Sequence, residues 1–124
     1  MRLVLIDDAI RAIHPDAQFT TVDEVITEWN SPDIIQPTQE ELDAKLTELK
    51  AAEPMRQLRE ERNKLIAETD WTQLKDIDLD IIRERNWKNY RQALRDLPSK
   101  STPKLNSFGG LDMSSVNWPD KPST

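Results

Sequence analysis

From Leu79 to Leu97 the apolar residues return at the spacing of an α-helix, and this run constrains the fold more than any other stretch. On a wheel of about 100° per residue, Leu79, Ile82, Trp87, Tyr90, Ala93, Leu94 and Leu97 fall within roughly 140° of arc. Lys88, Arg91 and Arg95 sit beside or behind that stripe. Asp76, Asp78 and Asp80 are available as helix caps, and Pro98 stops the run because it cannot continue the hydrogen-bond ladder. A helix with one apolar face needs something to bury it against. The residues before it supply a candidate.

Pro37-Thr38-Gln39-Glu40-Glu41-Leu42 reads as a helix start, with Thr38 and Glu41 placed to form a capping box. Leu42, Leu46 and Leu49 then make one narrow stripe, and Met55, Leu58, Leu65 and Ile66 resume on a shifted face after Pro54. Proline is tolerated in a first helical turn or at a kink, so two helices or one bent helix are expected up to about Glu68. Asp70-Trp71-Thr72-Gln73 breaks the pattern before the next helix. Three main helices are expected in all between about residues 38 and 97.

Ahead of this lies a small mixed region. Ala9, Ile10 and Ile13 follow Asp7-Asp8, which read as N-caps of a short helix, and His14-Pro15-Asp16 ends it. Phe19, Val22, Val25-Ile26 and Trp29, among β-branched threonines, suggest one or two short strands, closed by the turn Asn30-Ser31-Pro32-Asp33. From Ser99 onward the chain is rich in Ser, Thr, Pro, Lys and Asn and holds both glycines, a composition that builds no core of its own. The expected fold is therefore mainly α with a small α+β N-terminal part: a helical hairpin or bent helices plus an extended Pro/Ser-rich C-terminal tail. The expected divisions are 1–36, 37–98 and 99–124.

Composition narrows the function. With 124 residues and 36% apolar side chains, the core is lean, which suits a protein stabilised by an oligomer or a partner. The net charge of −6 argues against binding nucleic acid, since phosphate-backbone contact needs a cationic surface. Arg56, Arg59 and Arg62 are interleaved with glutamates and read as a solvated face of intrahelical pairs. Met1-Arg2-Leu3-Val4-Leu5-Ile6 is too short an apolar run for a membrane span or a signal peptide, so a soluble chain is expected.

Chemistry is scarce. There is no cysteine and one histidine, His14, beside a proline in a turn, so the usual nucleophile–base pairs and histidine-rich metal sites are unavailable. Asp76-Ile77-Asp78-Leu79-Asp80 imitates the start of a calcium loop, but Ile81 stands where the loop needs glycine and Trp87 where it needs a bidentate glutamate. No phosphate-binding glycine loop occurs. The chain reads as non-enzymatic, with no cofactor and no metal.

Arg62-Asn63, Asp70-Trp71, Trp87, Tyr90-Arg91, Leu94-Arg95 and the late Val116-Asn117-Trp118-Pro119 form a pattern that resembles the C-terminal half of bacteriophage tail assembly chaperones. That group is similar to the tail-fibre assembly proteins. "AIRAIHPDAQF", "ITEWN" and "PTQEELDAKL" more weakly resemble a small tail protein family of prophages. The resemblance implies a helper that binds the distal end of a tail fibre, itself a trimer, and promotes its folding and trimerisation in the host cytoplasm. A homo-oligomer matching the fibre is compatible with it. Nucleic acid and membrane are not implied as partners. The alternative is a permanent virion component, a fibre cap or baseplate adaptor retained in the tail. A small helical regulatory or nucleic-acid-binding protein fits less well.

On this reading the partner-binding residues are Trp71, Trp87, Tyr90, Arg91, Arg95, Trp118 and Pro119. Aromatic and arginine anchors are typical of protein contacts. A purely intramolecular use is the competing reading: Trp87 and Tyr90 in the core, Trp71 in helix–loop packing, and the arginines paired with Asp70 or Asp96. If Arg91 and Arg95 serve the partner, replacing both by alanine should leave the fold nearly intact. Deleting the tail from Ser114 should likewise spare the helices.

Overall fold

The structure, a computed structural model, describes residues 4–123; Met1, Arg2, Leu3 and Thr124 lie outside the described residues, and so does the start of the apolar opening run. Three α-helices and one two-stranded sheet make up its regular structure: α1 (Ile6–Ile13), β1 (Phe19–Val22), β2 (Val25–Trp29), α2 (Gln39–Ala67) and α3 (Ile81–Asp96). Short 3₁₀ turns cover Asp70–Gln73, Leu97–Lys100 and Met113–Ser115. The chain divides into two compact units, Met1–Glu53 and Pro54–Thr124.

In the first unit, α1 begins at least two residues earlier than the two aspartates suggest as caps. Leu5 is the capping position, so Asp7 and Asp8 lie in the first turn rather than at the cap. The Asp8 carboxylate still reaches back to accept from the Leu5 N–H at 2.9 Å, and negative charge there complements the helix dipole. A second free N–H, that of Ile6, donates to the Glu24 carboxylate at 2.7 Å. Glu24 and Asp23 form the two-residue turn between the strands, both with positive φ (63° and 49°), as this class of hairpin requires. The strands pair antiparallel from Phe19 opposite Trp29 to Val22 opposite Val25, with an irregularity between Thr20 and Thr21. Phe19 stacks on Trp29 with ring centroids 6.2 Å apart, and both pack on a core of Ile6, Ala9, Ile10, Ala17 and Leu42.

Helix α2 runs unbroken through Pro54, so the region from 38 to 97 holds two long helices and one 3₁₀ turn, not three main helices. A proline inside a helix costs about 3 kcal/mol. Burial outweighs that here, because apolar residues on both sides of Pro54 find cores: Leu42, Leu46 and Leu49 in the first unit, Met55, Leu58, Leu65 and Ile66 in the second. Thr38 caps the start, its hydroxyl accepting from the Glu41 N–H at 3.1 Å. Arg56 pairs with Glu60 at 2.6 Å, an intrahelical contact of the kind its spacing suggests.

The second unit has two apolar clusters. Trp87, Tyr90 and Leu94 of α3 pack against Leu65, Ile66, Trp71 and Leu79. Leu58 of α2, Leu97 and Val116 form the other, with Met55, Leu111 and Trp118 against it. This second cluster corrects the expectation of an extended tail. Leu105 and Leu111 pair across a tight loop in which the Asn106 carboxamide oxygen accepts from the N–H groups of Phe108 and Gly110. Gly109 supplies the positive φ (83°) this loop needs, and its carbonyl accepts from the Gln57 side chain at 3.0 Å. Asp112 caps the last 3₁₀ turn, which delivers Val116 into the cluster with only 6% of its surface exposed. Three isolated apolar residues, Leu111, Val116 and Trp118, anchor the segment where composition alone suggests none.

Candidate docking groove

Helix α3 carries two stripes side by side. Trp87, Tyr90 and Leu94 recur at three and four residues and turn into the core. Glu84, Lys88, Arg91 and Arg95 recur at four, three and four and form one wall of a groove whose other wall is Thr72, Gln73, Leu74, Ile77 and Leu79. The groove encloses about 570 Å³, within the range of ligand-binding clefts. Asp80 fixes where α3 starts, its carboxylate accepting from the Arg83 N–H at 2.8 Å. Beyond that cap the first turn is largely open to solvent. Ile81 and Ile82 are 75% and 68% exposed, so Ile82 leaves the apolar stripe assigned to it. Leu74 and Ile77 are exposed as well, at 62% and 39%.

Trp87 is the pivot between core and groove. It is 1% exposed, meets Trp71 edge-on at 5.2 Å and Tyr90 edge-on at 6.0 Å, and still contributes to the groove lining. Its indole nitrogen is buried without a hydrogen-bond partner. Leaving such a donor unpaired costs about 1–3 kcal/mol. Tyr90 stands behind it. Burial pushes its phenol above the ordinary range and the Glu68 carboxylate adds to this, so the ring stays neutral.

The arginines divide. Arg91 is tied inside the chain: one terminal nitrogen donates to the Thr69 hydroxyl at 2.6 Å and the Asp70 carboxylate at 3.2 Å, and lies 3.5 Å from the Ile66 carbonyl. Its side chain keeps only 11% of its exposure. It therefore closes the C-terminal end of α2, where Thr69 is itself buried, and matches the intramolecular reading with Asp70. The expectation that it can be removed without harm is corrected accordingly. Arg91→Ala should lower stability by about 1.5–3 kcal/mol, as hydrogen bonds to a charged group do. Asp70→Asn should cost under about 1 kcal/mol, because that carboxylate is 68% exposed and the pair is screened. Urea unfolding midpoints of the two variants separate these values; equal losses would mean that the ion pair, not the Thr69 contact, carries the effect. Arg95 is exposed and donates only to the Gln92 side chain, at 3.4 Å.

Of the seven residues singled out from sequence, the groove takes Trp87, Arg91 and Arg95. Trp71 and Tyr90 stand behind it in the core. Trp118 and Pro119 line a separate hollow with Ala93, Leu97, Lys100 and Asn117, and the Trp118 N–H donates to the Met113 carbonyl at 3.2 Å. Leu74 and Ile77 were not singled out. Their signal was an apolar residue standing alone among charges, in Leu74-Lys75-Asp76-Ile77-Asp78.

Among the described residues, no group of three or more His, Cys, Asp or Glu side chains is placed to hold a metal, and no helix is long and apolar enough to cross a membrane. What the second unit offers is an open groove in which exposed Leu74 and Ile77 stand opposite Lys88 and Arg95. The chain belongs to the phage tail assembly chaperone protein family, whose model matches residues 55–123, almost the whole of that unit. No curated protein and no solved structure matches the chain. Membership gives it a role in phage tail assembly and implies interaction with phage tail proteins.

Proposed function

We propose that the chain is a tail-fibre assembly chaperone: it binds the distal end of a trimeric fibre in the host cytoplasm and assists its folding and trimerisation. The observation that carries this reading is the coincidence of the family match, 55–123, with the unit that bears the groove. A β-rich fibre trimer pairs strands far apart in sequence or on different chains, which is slow and leaves edges open to wrong pairing. Exposed apolar side chains beside unpaired cations can cover such a segment until it registers and then release it without any covalent step. Lys88 and Arg95 lie on the exposed wall and serve contact, whereas Trp71, Tyr90 and Arg91 hold the wall in place. Trp118 and Pro119 offer a second, smaller contact.

Co-expression with a tail-fibre protein of the same phage tests the reading. The yield of soluble trimer should rise several-fold in the presence of the chain and fall back with Lys88→Glu/Arg95→Glu, whose thermal melting should match the wild type. A fibre that trimerises equally well without the chain would sink the proposal.

A further inference from the structure

The groove also limits what kind of segment it accepts. Its lining is largely polar, but Leu74 and Ile77 present exposed apolar surface within it, Leu74 more than Ile77. Its helical wall carries Lys88, Arg91 and Arg95 against the single carboxylate of Glu84. Arg91 is balanced by Asp70, but Lys88 and Arg95 have no ion-pair partner among the described residues. This cationic wall belongs to a chain whose net charge is −6, so the positive face is local rather than a sample of the average surface. Trp87 also contributes to the lining, although its indole N–H is buried and out of a ligand's reach.

We infer that the groove binds an extended acidic–apolar peptide segment of the partner protein, with apolar side chains on Leu74 and Ile77 and carboxylates on Lys88 and Arg95. An extended chain sends successive side chains to opposite sides and keeps its carbonyls available. It can therefore meet the exposed Leu74 and Ile77 and the charged wall together, and a small apolar ligand cannot. Nucleic acid would satisfy the cations but not the exposed leucine and isoleucine, and Glu84 with the neighbouring Asp76 and Asp78 would repel its phosphates. The inference rests on the tail-assembly reading only for where the segment comes from.

A ribosome-displayed library of random peptides, selected on the full-length chain, is the probe. Selected peptides should be enriched in acidic residues set among apolar ones. They should bind Lys88→Glu/Arg95→Glu on the order of tenfold more weakly, and their affinity should fall with added salt. Binding should also shift the Trp87 indole N–H resonance through the changed surroundings of the ring, identified by its loss in Trp87→Phe, while leaving the Trp118 indole in place. Neutral or basic winners would overturn the inference. So would acidic winners that leave the Trp87 signal unmoved or bind the charge-reversed chain equally, and so would a groove that fails to enrich any peptide because a second copy of the chain occupies it, seen by sedimentation. If selected peptides bind as expected but no fibre is assisted, the chaperone reading fails and the groove stands. If fibres are assisted equally by the charge-reversed chain, the groove fails and the chaperone reading stands.

Discussion

Replacing Trp87 by alanine is expected to unfold the C-terminal unit or bring it to the edge of unfolding. The side chain is 1% exposed and joins Trp71, Tyr90, Leu65, Ile66 and Leu79 in a single cluster. Truncating a buried tryptophan costs about 3–5 kcal/mol in lost transfer energy and residual cavity. A unit spanning Pro54–Thr124, at about 0.05–0.15 kcal/mol per residue, holds only ~4–10 kcal/mol in total. The loss is thus between a third of the stability and all of it. The unpaired indole N–H offsets the cost slightly, since the variant no longer buries it. Ile82→Ser is the matched control on the same helix. At 68% exposure it should change stability by less than about 0.5 kcal/mol, although sequence periodicity places both residues on one stripe. Urea denaturation followed by far-ultraviolet circular dichroism reads both. A Trp87→Ala chain as stable as the wild type would mean that α3 does not pack as described.

That contrast shows where sequence is informative and where it stops. The stripe from Leu79 to Leu97 was legible because helical periodicity is a local property, and its core members Trp87, Tyr90 and Leu94 are buried. Ile82 was not legible as exposed, since periodicity gives the direction of a side chain and not whether anything covers it. Pro54 left two helices or one bent helix open for a similar reason. Its local cost is real, but the burial that outweighs it comes from residues remote in sequence. Arg91 and Arg95, four residues apart and alike in type, could not be told apart until Thr69 and Asp70 came within reach of one and not the other. The groove was half legible: Trp87, Arg91 and Arg95 stood out as residue types, while Leu74 and Ile77 belong to no periodic pattern.

Deleting the chain from Ser114 onward should destabilise the C-terminal unit by about as much as Trp87→Ala, and not spare the helices. The deletion removes Val116, 6% exposed, and the half-buried Trp118, and it opens Leu58 and Leu97, which are 0% and 6% exposed in the intact chain. Fully burying one aliphatic side chain contributes about 1.5–3 kcal/mol, so losing Val116 and uncovering parts of Leu58 and Leu97 should cost about 3–6 kcal/mol. Nothing in the sequence signals this contact, because Leu111, Val116 and Trp118 are spaced five and two apart and reach the cluster from a 3₁₀ turn and loops, without helix or strand periodicity. A shorter deletion beginning at Asp120 removes residues outside the cluster and should be neutral within about 0.5 kcal/mol. Urea midpoints should therefore fall sharply between the two truncations, and amide hydrogen exchange around Leu58 should quicken only in the longer one. If both truncations unfold like the full chain, the segment after Ser114 contributes nothing to the core. In that case the sequence-level reading of a free tail, available as a second clamp on the partner, regains its place.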